Sequence, residues 1–238
     1  MKAMILAAGL GTRLKPWTDK YPKALAFVNR KSLLERNIKY LQQFGISDVI
    51  VNVHHFPEQI IKAIQKNNGW GSNIIISDET NELLETGGGL KKAEYYFKDE
   101  NDFVLVNVDV LTDLRLDEMI AYHLSNKPLA TLATTQRNTS RYFLFNDDNE
   151  LCGWRNIETG VDKISKQAAR YYQKAFSGIH VINNRIFSLM HNEGKFSMID
   201  VYLEAAKTQI IKSFDHSQSK FIDVGKPDSI IKAETIFS

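Results

Sequence analysis

The run Leu6-Ala7-Ala8-Gly9-Leu10-Gly11-Thr12-Arg13-Leu14 sets two glycines and a guanidinium just behind an apolar N-terminal stretch. Glycines let a backbone approach a phosphate closely, and successive backbone N–H groups can form an anion nest. Arg13 adds a planar donor fork matched to phosphate oxygens. A tight turn followed by a solvated arginine is the plainer reading of the same residues. Two better-known phosphate loops do not fit. A Walker A loop ends in Gly-Lys-Ser/Thr where this chain has Gly11-Thr12-Arg13, and a dinucleotide fingerprint needs a third glycine where it has Leu14. A second position with chemistry is Asp109, which closes Val104-Leu105-Val106-Asn107-Val108. An acid directly after a buried strand lies at a sheet's carboxyl edge, where ligands bind; a turn cap is the alternative. Leu84-Glu85-Thr86-Gly87-Gly88-Gly89 reads on its own as a loop leading into a helix.

The elements that must position these residues alternate through the first half. Strands are expected at 2–6, 48–53, 73–76, 102–108 and 129–133. Helices are expected at 32–44, 57–65, 89–97 and 116–124. Ser32 and Glu35 are spaced as a capping box, and Pro57 suits a first helical turn. The strands are continuous apolar runs, which implies cover on both faces. The expected fold is therefore α/β: a Rossmann-like three-layer α/β/α arrangement with a mostly parallel, mixed central sheet. After about residue 140 the pattern changes. A hairpin is expected from 142–145 and 150–154 around the turn-rich 146–149, then a strand at 176–181. Short helices follow at 185–190 and 199–207, with a strand near Phe221 and a helix from Pro227. No linker, repeat or low-complexity stretch divides the 238 residues. One domain over 1–238 is expected, in two halves that meet at about residue 135.

Composition narrows the function classes. The chain is 43% hydrophobic and 24% charged, with a formal net charge of +2. That charge is too small to argue for nucleic acid or an anionic membrane. No apolar run approaches the ~20 residues that span a bilayer, and the N-terminus lacks the features of a signal peptide. The expectation is a cytoplasmic protein with neither nucleic-acid nor membrane partners. The single cysteine, Cys152, excludes an internal disulfide and reads as packing. His54 and His55 follow a strand and precede Pro57, which suits a loop or helix start. Trp17 and Tyr21 are expected to shape the loop beneath the phosphates.

Leu-Ala-Ala-Gly-x-Gly-Thr-Arg-Leu followed by Pro22-Lys23 resembles the signature of the sugar-1-phosphate nucleotidyltransferases. The resemblance runs from Met1 to about Pro227 and leaves no room for the appended domains of some relatives. It implies that Leu6, Ala7, Ala8, Gly9, Gly11 and Thr12 hold a nucleoside triphosphate. It implies that Arg13 neutralises departing pyrophosphate and Lys23 contacts the phosphate under attack, as the two catalytic residues. Family members commonly read Pro-Lys-Pro, where this chain has Pro22-Lys23-Ala24. Glu85, Thr86, Gly87, Gly88 and Asn107 belong to the implied nucleotide site, with the glycines admitting a flat base. Asp109, preceded by Val108 where most members have glycine, is an implied Mg2+ ligand. Phe221-Ile222-Asp223-Val224-Gly225-Lys226-Pro227 supplies the second, Asp223. Ser177 and Gly178, with Glu158 and Lys163, are the candidates for the sugar 1-phosphate. Within the family, 84–89 together with Phe176-Ser177-Gly178 is most similar to the N-acetylmuramate 1-phosphate uridylyltransferases of cell-wall recycling. Mannose- or heptose-1-phosphate guanylyltransferases stand next. A non-catalytic nucleotide-sugar sensor is the rival of another class, against which the joint retention of Arg13, Lys23, Asp109 and Asp223 argues.

Overall fold

The computed structural model describes residues 1–237. From the N-terminus the chain forms β1 (Ala3–Leu6), a small hairpin of β2 (Phe27–Val28) and β3 (Lys31–Ser32), α1 (Leu33–Gln43), β4 (Asp48–Val53), α2 (Pro57–Lys66) and β5 (Asn73–Asp78). Next come α3 (Glu85–Lys92), β6 (Asp102–Asn107), β7 (Val110–Thr112), α4 (Leu116–Asn126) and β8 (Ala130–Thr135). The rest is β9 (Arg141–Phe145), β10 (Leu151–Asn156), β11 (Val161–Ile164), β12 (Tyr172–Asn183), α5 (Met198–Ala205), β13 (Ile211–Asp215), β14 (Phe221–Asp223) and α6 (Pro227–Ile236).

One sheet carries most of this, in the order β11-β10-β9-β12-β6-β1-β4-β5, with β8 added to β12 and β13 to β8. β6, β1, β4 and β5 are parallel neighbours, as are β13 and β8; the pairings around β12 are antiparallel. The expected mostly parallel sheet is thus the first half, and the second half makes it mixed. Alternation within strands builds two cores. Ala3, Ile5, Val49, Val51, Val104 and Val106 face one side with residues of α1, α2 and α4. Met4, Ile50, Phe103 and Leu105 face the other with residues of α3 and α5. Side chains of both sets are buried, so these strands read as continuous apolar runs.

Local signals set several boundaries. Ser32 caps α1, accepting the Glu35 N–H at 3.1 Å, and Pro57 opens α2. Three expectations need correction. α3 begins at Glu85, not at 89, so the glycines lie inside the helix; the stretch expected to continue it is a 3-10 turn over Glu94–Phe97. The helix expected at 185–190 is likewise a 3-10 turn, Asn184–Leu189. β12 spans 12 residues rather than six, because it changes partners along its length. Tyr172 to Lys174 pair with β9, and Ile179 to Asn183 with β6. Between them the register shifts, and Gly178 takes a φ of +75° that a side chain would strain.

Candidate active site

A cleft of about 400 Å3 opens at the carboxyl ends of β1 and β6. Leu6, Ala7, Ala8, Gly9, Gly11, Thr12, Arg13, Lys23, Glu85, Thr86, Asn107 and Asp109 all line it. Gly11 sits in the left-handed region at φ +62°, and a Cβ there would come within 2.9 Å of Thr18. That turn accepts the Leu14 N–H at 2.8 Å and starts the short helix that carries Arg13. Gly9 is different: nothing lies within 4 Å of a Cβ placed on it. Arg13 is 60% exposed and reaches over Gly225, whose missing side chain leaves room for the guanidinium. Lys23 is nearly buried, and its ammonium is bonded to Asp109.

Asp109 and Asp223 come together from distant parts of the chain. β14 pairs antiparallel with β7, placing Asp223 opposite Val110, and the Val224 N–H donates to the Asp109 carbonyl at 2.8 Å. The Asp223 carboxyl is held above the usual carboxylate range, first by burial and then by the charge of Asp109. Lys23, Arg13 and Arg137 pull it the other way. Among the described residues no group of three or more His, Cys, Asp or Glu side chains could cage a metal. A cation held here would have two carboxylates and would complete its shell from phosphate oxygens and water, the pattern magnesium favours. Val108, next to Asp109, also lines the cleft and is held in place on three sides. Its side chain joins the core, its N–H donates to Leu6 at 3.1 Å, and its carbonyl accepts from Asn37 at 2.9 Å.

The glycines of α3 serve a purpose other than the expected one. Gly87 and Gly88 do not line the cleft; they are buried, and both N–H groups donate to the Phe196 carbonyl at 2.9 and 3.2 Å. A Cβ on Gly87 would lie 2.4 Å from the Phe196 ring, and one on Gly88 2.1 Å from the Gly194 carbonyl oxygen. They allow a helix to press against a backbone, rather than leaving space for a ring. Glu85 and Thr86 do face the cleft. Glu85 stands 3.6 Å from Lys195, and the Thr86 hydroxyl accepts the Met198 N–H at 2.9 Å.

Asn52, Leu83, Ser197 and Gly225 also line the cleft and were not expected to. Asn52 accepts the Ala7 N–H at 2.6 Å and donates to Glu79 at 2.7 Å; Glu79 accepts the Leu84 N–H at 3.2 Å. Burial holds the Glu79 carboxyl above its ordinary range, against the hydrogen bonds from Asn52 and Leu84. The pair ties the glycine loop to the segment that enters α3. The available signal was an asparagine inside the apolar run Val-Ile-Val-Asn-Val.

The four sugar-side candidates do not line this cleft. Ser177 is buried and accepts weakly from Arg137 at 3.5 Å. Gly178 lies against Asn107, where a Cβ would come within 2.8 Å of its amide nitrogen. Glu158 is in the turn after β10, its N–H donating to Asn156 at 3.0 Å. Lys163, on β11, bridges to Asp200 at 3.0 Å. Trp17 and Tyr21 pack on one another, centroids 4.7 Å apart, and line a separate depression rather than the floor of the cleft. His54 and His55 bond the carbonyls of Glu79 and Thr18 at 2.7 and 2.8 Å, as a loop role requires. Cys152 is buried.

Among the described residues no helix is long and apolar enough to cross a membrane. The chain is similar to mannose-1-phosphate guanyltransferase of Yarrowia lipolytica, 28% identical over 240 residues that cover 100% of this chain and 64% of that protein. It is similar to mannose-1-phosphate guanyltransferase 2 of Candida glabrata, at 27% over 242 residues with the same coverage. The chain therefore spans 64% of the length of these relatives. Its fold matches HddC from Yersinia pseudotuberculosis complexed with GMP-PN at a TM-score of 0.79 and 24% identity, covering 100% and 99% of the two chains. It also matches UDP-glucose pyrophosphorylase from Acinetobacter baumanii at 0.79 and 17%, covering 98% and 91%. The Nucleotidyl transferase profile matches residues 2–237, and the chain belongs to that family.

Proposed function

We propose that this chain transfers a nucleotidyl group from a nucleoside triphosphate to a sugar 1-phosphate, giving a nucleotide-sugar and pyrophosphate. The observation that carries this reading is the convergence of the glycine loop, Arg13 and Lys23 on the paired carboxylates Asp109 and Asp223. A sugar-phosphate oxygen attacks the α-phosphorus; the new oxygen–phosphorus bond forms as the bond to the β-phosphate oxygen breaks. The nucleophile is already an anion, so no general base is required. Catalysis rests on positioning and on charge. Arg13 stabilises the leaving pyrophosphate through its fork, and Lys23 stabilises the phosphate under attack. Asp109 and Asp223 would hold a magnesium ion, which when bound would withdraw charge from phosphate oxygens. Lys23 then exchanges its bond to Asp109 for one to the nucleotide.

For the substrates, the reading we favour is GTP with mannose 1-phosphate or a related sugar. The relatives' names point there, and so does Glu85, a carboxylate lining the cleft beside Thr86. Guanine offers two adjacent N–H donors on its pairing edge, which suit a carboxylate acceptor; uracil offers one, between two carbonyls. The second reading, UTP with N-acetylmuramate 1-phosphate, rests on the resemblance of 84–89 and 176–179. Pyrophosphate release across four nucleoside triphosphates and mannose, heptose and N-acetylmuramate 1-phosphates decides between them. GTP with mannose 1-phosphate should give the highest kcat/KM. A preference for UTP with the muramate ester reverses the substrate reading and keeps the reaction. No turnover with any pair, alongside tight binding of a nucleotide-sugar, points to a sensor.

A further inference from the structure

Arg137 lies just beyond β8, with no carboxylate within 4.0 Å of its guanidinium among the described residues. Nη2 donates to the Phe176 carbonyl at 2.7 Å. Nη1 donates to the Thr135 hydroxyl at 3.0 Å and, at longer range, to the Ala175 carbonyl at 3.4 Å and Ser177 Oγ at 3.5 Å. Its Cζ stands 4.6 Å from the centroid of the Phe221 ring, two residues before Asp223 on β14. The guanidinium is thus wedged between the irregular part of β12 and the strand that presents Asp223. Burial draws its pKa down while the charge of Asp223 raises it. Withdrawing a cation from water without a counter-ion is costly, and neutral acceptors offset only part of that. Of the five N–H donors of an arginine, Nε–H and one on Nη2 make no hydrogen bond among the described residues. Those donors remain for an incoming oxyanion.

We propose that Arg137 binds the phosphate of the second substrate, the sugar 1-phosphate, a role that rests on the transferase reading above. Arg13 and Lys23 come from the first half of the chain and serve the nucleotide. Arg137 comes from the second half, beside Ser177 and Asp223. A sugar phosphate must approach a triphosphate and two carboxylates, all of its own sign. A tethered, partly desolvated guanidinium gives it a counter-charge and loses little freedom on binding. The other sugar-side cation, Lys163, is already bridged to Asp200.

The test is steady-state kinetics of full-length Arg137→Gln and Arg137→Lys, with mannose 1-phosphate or N-acetylmuramate 1-phosphate, whichever the unmodified protein accepts. Arg137→Gln should raise KM for the sugar phosphate about 10- to 100-fold, as for losing a charge-assisted hydrogen bond, and shift KM for the triphosphate less than about twofold. Arg137→Lys, which keeps the charge but lacks the fork, should recover part of the loss. It is also the variant to read if Arg137→Gln does not fold. Equal shifts in both KM values, or in neither, overturn the assignment and leave the transferase reading standing. Absence of turnover by the unmodified protein removes the transferase reading first, and the role of Arg137 with it.

Discussion

The two halves of the molecule bring charge to the same sheet edge by different means. In the first half, parallel strands end side by side, and one contiguous stretch from Leu6 to Arg13 lines the cleft with Lys23 close behind. In the second half, antiparallel pairing folds the chain back on itself. Arg137, Ser177 and Asp223 arrive on separate elements that meet only in the finished fold, β14 pairing with β7 outside the main sheet. The first arrangement leaves its chemistry written along the chain. The second leaves it in the register between strands. The histidines divide by burial rather than by half, and His123 of the first half is buried at 1% exposure. His54 and His55 sit in a surface loop bonded to carbonyls, whereas His180 and His216 are buried.

The strongest way to break this comparison is at the seam, where Asp109 of one half meets Asp223 of the other. Asp109→Asn keeps the size and a hydrogen-bond acceptor for Lys23, and removes one of the two carboxylates. Turnover should fall by about a thousandfold or more at saturating magnesium, with the melting temperature little changed. Activity in EDTA equal to that in magnesium, or a mild effect of the substitution, would separate the carboxylates from the chemistry. Arg13→Ala tests the first half alone. Removing one strong charge stabiliser costs about 100- to 1000-fold in rate. The loss should appear in kcat more than in KM if Arg13 acts on the leaving pyrophosphate. Arg13→Lys should recover little, because lysine lacks the planar fork.

What could be read from the chain follows the same division. The loop at Gly9 and Gly11 was legible because small residues cluster directly behind an apolar strand, and α1 because Ser32 and Glu35 announce its cap. Asp223 was legible only through resemblance; nothing in its local pattern says that β14 will pair with β7 and bring it beside Asp109. Asn52 was missed because it looks ordinary within β4, and Glu79 because it looks ordinary in the loop after β5; their meaning lies in a hydrogen bond across 27 positions. β11 was missed for a related reason. Every residue of β11 is exposed, so no burial pattern marks it, and the ladder to β10 alone defines it.

The histidine contrast can be sharpened by acid. Burial pushes the His180 imidazole down to about 3 and His216 to about 4. In the unfolded chain both titrate near 6.5. Above that value both states are neutral and stability is indifferent to pH. Below it the unfolded chain takes up protons that the folded protein refuses, so stability falls as pH drops from about 6.5 towards the folded values. Each group contributes about 1.4 kcal/mol per pH unit, or about 2 kcal/mol at pH 5. Together these two should weaken urea unfolding stability by about 4 kcal/mol between pH 7 and pH 5, and His123, whose pKa burial also lowers against the pull of Asp102, adds to the loss in the same direction, with no comparable loss between pH 8 and pH 7. An unchanged midpoint at pH 5 would mean that water or movement already relieves the buried rings.

The smallest effects separate the two glycine runs, which look alike in sequence and differ in what they touch. A methyl on Gly9 meets nothing within 4 Å and would project into the cleft, and its backbone is not in the left-handed region. Gly9→Ala should therefore leave the melting temperature within about 1 °C while weakening triphosphate binding, since only the ligand loses space. A methyl on Gly88 would sit 2.1 Å from the carbonyl oxygen of Gly194, and backbone on both sides can yield only by parting α3 from the 194–196 segment. Overpacking of this kind costs about 1–3 kcal/mol, which in a chain of this size is a fall of roughly 2–12 °C. Nucleotide binding should suffer only as far as Glu85 and Thr86, at the start of the same helix, are displaced. The comparison is read from two melting curves and two nucleotide titrations. A stable Gly88→Ala protein that has lost nucleotide affinity would return that glycine to the base site and undo the packing account of α3.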